Sequence, residues 1–246
     1  MIRPPILRDE PDYGLGRLGT AARRAGNPEL QALMEEYAEE VGLPPPRSTP
    51  QVEWDPVRCR EIAQEFGALP FRERGAAVRE AYRALADEIG RQFDFLSRFY
   101  AFDWYGDGDP VPYRDSKDMM EDVRRNRHLW VYTGGAPHSI WSDEENLRFR
   151  AVHDLFGHAA QGWTFGPHGE ENAWVEHSKL FSPIARAALA TETRGQNSSF
   201  NCGPHAHLPV AERPYAEQKG ALLPEDRWTH PVLEEAYRDI PEFVYL

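Results

Sequence analysis

The chain has 246 residues, room for one sizeable domain with a terminal extension or at most two small domains. Acidic residues outnumber basic ones 40 to 28, a formal net charge of −12, which excludes phosphate-backbone binding as the main activity because nucleic-acid partners demand a basic face. Hydrophobic residues make up 41% and aromatics 12%, enough for a core. No apolar run approaches the roughly 18–20 residues of a membrane span, so no membrane partner is expected. Met1–Ile2–Arg3–Pro4–Pro5 lacks the apolar stretch of a secretory leader, and the two cysteines, Cys59 and Cys202, make neither a disulfide framework nor a four-thiolate metal site. A cytoplasmic location is the expectation.

Residues 1–26 mix Arg, Gly and Pro with little periodicity and read as a loosely structured arm. Asn27 is placed to cap, and Pro28 to open, a short helix whose Leu30, Leu33, Met34, Tyr37 and Val41 recur at helical spacing. Pro44–Pro45–Pro46 and Pro50 then forbid regular structure and read as a linker. The predicted organisation is an N-terminal extension over 1–54 and a helical, metal-dependent catalytic domain over 55–246. From Asp55 a helical pattern runs through Phe66. A longer helix is expected from about Phe71 to Arg98, with Val78, Tyr82, Leu85, Ile89 and Phe93 on one stripe. Residues 101–114, dominated by Gly106–Asp107–Gly108–Asp109–Pro110, read as loop. Asp115 or Ser116 caps a helix to about Arg125, and Leu129–Trp130–Val131–Tyr132–Thr133 is the one clear strand, ahead of Gly134–Gly135. Asp143 starts a helix carrying Leu147, Val152, Leu155 and Phe156. Glu170 opens another to about Phe181, and a further segment after Pro183 reaches about Thr193. The tail is expected to set short helices near Ala211–Leu223 and Val232–Asp239 among Pro-rich loops. The sum is a mainly α chain, a single helical catalytic domain with minor β near 129–133.

Nine histidines are present, seven of them between His138 and His207. In Val152–His153–Asp154–Leu155–Phe156–Gly157–His158, two of them bracket an apolar pair on a predicted helix. Two imidazoles and one carboxylate make the facial triad of non-haem iron oxygenases. Histidines four apart stand about 40° apart around an ideal helix, and histidines five apart about 140°. His153 and His158 are five apart, so both reach one ion only if the helix ends or loosens there, which Gly157 permits.

The segment that follows holds Glu170, Glu171, Glu176, His177 and Glu192. The small apolar run Ala185–Ala190 delivers Glu192 to the end of a buried helix, where a carboxylate is costly unless it meets a cation or an arginine. Glu192 is therefore the expected third ligand, with a pair to Arg194 or Arg186 as the alternative. Glu176 and His177 are candidates for additional metal ligation. Asp154 is a candidate catalytic acid or a partner orienting a ligand. Arg194, Gln196 and Asn197 follow the carboxylate closely and suit hydrogen bonding to a bound molecule, Arg194 in a catalytic role. Trp130, Tyr132, Phe156, Trp163, Phe165 and Trp174 are candidate pocket walls, with ordinary core as the alternative for each. His205 and His207 suit a pocket rim or solvent.

His153–Asp154–Leu155–Phe156–Gly157–His158 matches, residue for residue, the His-Asp/Glu-x-x-Gly-His segment of the pterin-dependent aromatic amino acid hydroxylases, and Ala190–Thr191–Glu192 resembles the segment that carries their iron-binding carboxylate. Ser116–Lys117–Asp118–Met119–Met120 and Trp130–Val131–Tyr132–Thr133 stand where that family has a helix and a substrate-binding strand. The resemblance covers about 115–196. It implies Fe(II) held by His153, His158 and Glu192, a tetrahydropterin as reductant with Asp154 near it, and O2 acting on a small aromatic or amino-acid-derived substrate. The chain departs from the family where Leu129–Thr133 carries no arginine and where Phe149–Arg150–Ala151 replaces a Pro-Glu-Pro-Asp run.

Three other readings compete with an iron monooxygenase. A gluzincin-like zinc hydrolase would take Glu176 as third ligand, but it needs histidines four apart and a glutamate after the first. An HD-type phosphohydrolase would combine His153–Asp154 with His128 or His138 and with Asp226 or Asp239. A non-catalytic metal-binding protein would use the same histidines without chemistry.

Overall fold

The computed structural model of the chain describes residues 23–244, and the arm expected over 1–26 lies almost wholly outside the described residues. Helix α1 (Pro28–Val41) starts where Asn27 accepts the N–H groups of Glu29 (3.0 Å) and Leu30 (3.4 Å), with Pro28 in the first turn. Leu30, Leu33, Met34 and Tyr37 are buried in the main core, and the Tyr37 ring lies 6.1 Å from that of Phe156. Beyond the prolines, the N–H of Val52 donates to Asn172 Oδ1 (2.7 Å). Residues 27–54, expected as an extension and linker, are thus built into the core of the residues that follow.

Helix α2 (Pro56–Ala68) is capped by Asp55, and α3 (Ala76–Leu96) buries Val78, Tyr82, Leu85 and Ile89 as its apolar stripe predicts. The start of α3 at Ala76 rather than near Phe71 has a tertiary cause. Residues 71–73 pair instead with Gly220, whose N–H donates to the Phe71 carbonyl (2.9 Å) and whose carbonyl accepts from Glu73 (2.8 Å).

Strands β1 (Ala101–Tyr105) and β2 (His128–Tyr132) form a two-stranded parallel sheet, Ala101 opposite His128 and Tyr105 opposite Tyr132. Helix α4 (Ser116–Asn126), capped by Asp115, makes the crossover that a parallel pair requires. The expected loop over 101–114 therefore begins as a strand. Its burial does not alternate, so only its partner β2 makes it one.

Helix α5 (Asp143–Val152) opens with a reciprocal cap between Ser142 and Glu145 and continues without a break into a π-helical turn, His153–Ala159. Helix α6 (Pro167–Ser178) packs across that turn. Helix α7 (Pro183–Ala190) runs through a second π-helical turn, Thr191–Gly195, into α8 (Gln196–Cys202). Helix α3 lies against α5 and α7, and α2 lies against α8. The helix expected near Ala211–Leu223 is not formed. Only a 3₁₀ turn at Val210–Glu212 appears before Pro214 interrupts, and the Lys219 ammonium then donates to the carbonyls of Phe66 (3.0 Å), Gly67 (3.2 Å) and Leu69 (2.8 Å) at the end of α2. Short helices α9 (Pro231–Ala236) and α10 (Pro241–Val244) end the described residues. The fold is mainly α, and among the described residues no helix is long and apolar enough to cross a membrane.

The entry into α6 is tight. A Cβ on Gly169 would run into the backbone of Thr164. Gly169→Ala is expected to cost about 2 kcal/mol or more in denaturant unfolding, because neither backbone can yield without displacing the first turn of α6.

Candidate metal centre

The five-residue spacing of His153 and His158 is resolved by the backbone between them. A helix bonded i→i+5 stacks residues five apart, as an ordinary helix stacks those four apart. Just past the turn, the N–H of Ala160 still reaches the carbonyl of Leu155 (2.9 Å), and that of Trp163 reaches His158 (3.0 Å), each five residues back. The two imidazoles lie 5.0 Å apart, edge to face at 86°. Gly157 makes room for this: a Cβ there would sit 3.0 Å from His153 Nδ1 and 3.2 Å from the Ala173 carbonyl of α6.

The carboxylate facing the histidines belongs to Glu170, in the first turn of α6. Its Oε2 is 3.6 Å from His158 Nε2 and 3.9 Å from His153 Nε2, and one donor atom from each of the three residues lies within 4.8 Å of the other two. His158 Nδ1 is 3.0 Å from the Trp163 carbonyl, an acceptor only, so Nδ1 carries a proton, and in the neutral ring the Nε2 lone pair points at Glu170. These donors suit one divalent ion of the iron or zinc type, since donors near 2.1 Å from an ion stand about 3 Å from one another and small rotations close the difference.

Burial and mutual charge set the titration of the trio. Burial favours the neutral carboxyl of Glu170, but His158 and His153 beside it hold it down at about 2. Burial likewise opposes a charge on His158, yet Glu170 outweighs it and raises the imidazole above its ordinary value. His153 is lowered by burial. Asp154, next to His153, is pushed up to about 6 by burial, against the pull of His158.

His153 and Glu170 open onto a cavity of about 860 Å³ whose walls include Trp54, Tyr105, Trp130, Tyr132, Phe149, Phe165 and Tyr215. Phe149 stacks on His153 at 5.7 Å, and Phe165 meets His158 edge-on at 4.8 Å. Arg150, one turn before His153, lines the cavity with one guanidinium nitrogen donating to the carbonyls of Tyr132 (2.7 Å) and Gly134 (2.8 Å).

Of the residues singled out from sequence, His153, His158 and Asp154 meet at this corner, and Trp130, Tyr132, Phe165, Gln196, Asn197 and His207 line the cavity. Glu192 also reaches the cavity wall but stays outside the cluster. Tyr82 donates to its Oε1 (2.5 Å), His138 Nε2 lies 3.0 Å from the same oxygen, and Gln196 donates to Oε2 (2.7 Å). Glu170, rather than Glu192, thus stands as the third donor. Neither arginine pairs with Glu192. Arg194, proposed for catalysis, is buried in an ion pair with Glu171 (2.6 Å) over the Trp174 ring (4.3 Å), and Arg186 donates to the Ser178 carbonyl (2.8 Å). Glu176, an additional-ligand candidate, is held by Lys179 (2.7 Å) and Thr49 (3.1 Å). His177 lies behind His153, Nδ1 to Nδ1 at 3.1 Å, with no face on the cluster. Phe156 and Trp174 are fully buried core, and Trp163 contributes its carbonyl to His158 rather than its ring to the cavity. Glu170 was hidden in plain view among the carboxylates of α6: a helix-opening glutamate twelve residues after His158 carries no local mark that separates it from Glu171. Arg150 and Tyr105 reach the cavity only through tertiary packing.

Comparison of the chain with protein-family models, with curated proteins and with solved structures finds no match.

Each of His153→Ala, His158→Ala and Glu170→Ala is expected to abolish stoichiometric binding of Co(II) as a probe ion, whereas Glu192→Gln keeps it, as read by titration calorimetry. Because His158 retains its proton to higher pH than an ordinary imidazole, an incoming ion must displace that proton. Co(II) affinity should therefore fall as pH drops, and binding should release protons to the buffer, measurable from the buffer dependence of the binding heat.

Proposed function

We propose that this protein is a non-haem Fe(II)-dependent oxygenase of the hydroxylase kind, with His153, His158 and Glu170 as the iron ligands and a small aromatic or amino-acid-derived molecule as substrate. The observation that carries the reading is the convergence of two lone-pair imidazoles and one ionised carboxylate at the corner of an aromatic-walled cavity. Bound there, Fe(II) supplies the O2-activating chemistry of the two-histidine, one-carboxylate sites. The chain's own part is to hold the substrate and keep bulk water away. Phe149 and Phe165 cover the ligand rings, Trp130, Tyr105 and Tyr132 offer faces for a planar ring, and Arg150 offers a cation to an anionic substituent.

The hydrolase alternatives lose their residues. The gluzincin-like reading needs Glu176, which is taken by Lys179 and Thr49. The HD-type reading needs partners that stand elsewhere: His138 on Glu192, His128 on Asp122 (2.7 Å), Asp226 on Arg227 (2.8 Å) and Asp239 on Arg47. A tetrahydropterin as reductant belongs to the proposal as the resemblance in the His153–His158 segment implies it.

Anaerobic loading with Fe(II), followed by O2 uptake against a panel of aromatic compounds with and without a tetrahydropterin, tests the reading. One iron per chain and iron-dependent uptake are expected, with Glu170→Ala losing roughly 100-fold or more in rate. A purified chain that binds Zn(II) tightly, ignores Fe(II) and never consumes O2 would sink it.

A further inference from the structure

Behind the candidate ligands lies a chain of buried polar groups that the cavity does not use. Gln92 of α3 and His177 of α6 are both fully buried, and His153 is 9% exposed. Gln92 Nε2 donates to the Leu180 carbonyl (3.1 Å), Gln92 Oε1 lies 2.7 Å from His177 Nε2, and His177 Nδ1 lies 3.1 Å from His153 Nδ1. The protons in this series have one consistent order. The Leu180 carbonyl only accepts, so the Gln92 amide must turn its nitrogen there and its oxygen toward His177. That oxygen also only accepts, so His177 carries its proton on Nε2. A neutral imidazole then has a bare Nδ1, and the facing Nδ1 of His153 must be the donor. The Nε2 of His153 is left unprotonated, aimed at Glu170.

We infer that Gln92 and His177 are positioning residues that fix His153 in the tautomer able to bind a metal ion, through the series Leu180 carbonyl, Gln92, His177, His153. The inference rests on the reading of His153, His158 and Glu170 as a metal centre. It gives His153 from a distance what the Trp163 carbonyl gives His158 directly, and it explains why an imidazole and a carboxamide occupy the fully buried junction of α3 and α6. No water needs to enter the series, since each buried nitrogen and oxygen in it already has a partner.

Calorimetric titration of Co(II) into the full-length protein at a single pH, with the visible spectrum of the bound ion recorded alongside, tests the assignment. His177→Leu removes the acceptor for His153 and Gln92→Leu frees His177 to take the other tautomer, so each is expected to weaken Co(II) binding about 10–100-fold. His177→Asn returns an acceptor oxygen to the place of Nδ1 and should restore the wild-type affinity and spectrum. A role in packing alone would make the leucine and asparagine variants equivalent. Equal loss in both, or wild-type affinity in His177→Leu, would overturn the inference. Should His177→Leu fail to fold, Gln92→Leu is read in its place, and wild-type affinity there would overturn the inference. If the wild-type chain takes up no Co(II), the metal centre falls and the inference with it, an outcome seen before any substitution is made.

Discussion

One widened turn governs the arrangement. Between His153 and Ala159 the backbone hydrogen bonds span five residues instead of four, and every other feature of the corner follows from the alignment this gives. In an ordinary helix one of the two imidazoles would face the core and the other the cavity. π-helical turns are less favourable than α-helical ones, so this one must be held from outside. Helix α6 packs across it at a distance that only Gly157 allows, and the N–H of Asn27 donates to the carbonyls of Ala159 (3.2 Å) and Ala160 (3.0 Å), which the irregular turn would otherwise leave short of partners.

The corner has two unlike sides. Inward, His153 and His158 are braced by groups with no freedom to reorient, the fully buried Gln92 and His177 and the Trp163 carbonyl. Outward, the same rings meet the aromatic side chains of Phe149 and Phe165, and His153 faces the cavity. A carboxylate in such a place is held ionised by its neighbours rather than by solvent, which is why Glu170 keeps a negative charge to offer a cation while Asp154, for which burial outweighs the nearby cations, is pushed the other way. The carboxylates behind the formal charge of −12 thus include groups such as Glu170 and Glu192 that face interior partners rather than the surface.

Much of the fold was legible because its signals are local. The caps at Asn27, Asp55, Asp115 and Ser142 and the stripe from Val78 to Ile89 act within a few residues, and the elements they announce are present. What was hidden depends on residues far apart in the chain. Ala101–Tyr105 has no strand pattern of its own, and residues 71–73 leave their helix for Gly220. In the candidate site, the two histidines carried their signature in six consecutive residues, including the glycine that marks the loosened turn. Choosing between carboxylates required the third dimension. Glu192 does end a buried helix, as its apolar approach suggested, but Tyr82, His138 and Gln196 satisfy it there, whereas Glu170 is distinguished from Glu171 only by the way α6 is rotated against the π turn.

The clamp of α1 on the end of that turn also orders events in time. Gln31 donates to the Ala160 carbonyl (2.8 Å) across 129 positions of sequence, and the cavity wall is completed by Tyr215 and Gln218, later still. Helix α1 therefore waits for its seat until 129 further residues have been made, and the cavity waits for residues as late as Gln218. Contacts of such separation are formed late in folding. The cavity thus belongs to the folded chain rather than to the nascent one, and α1, made long before its seat, docks only once that seat exists.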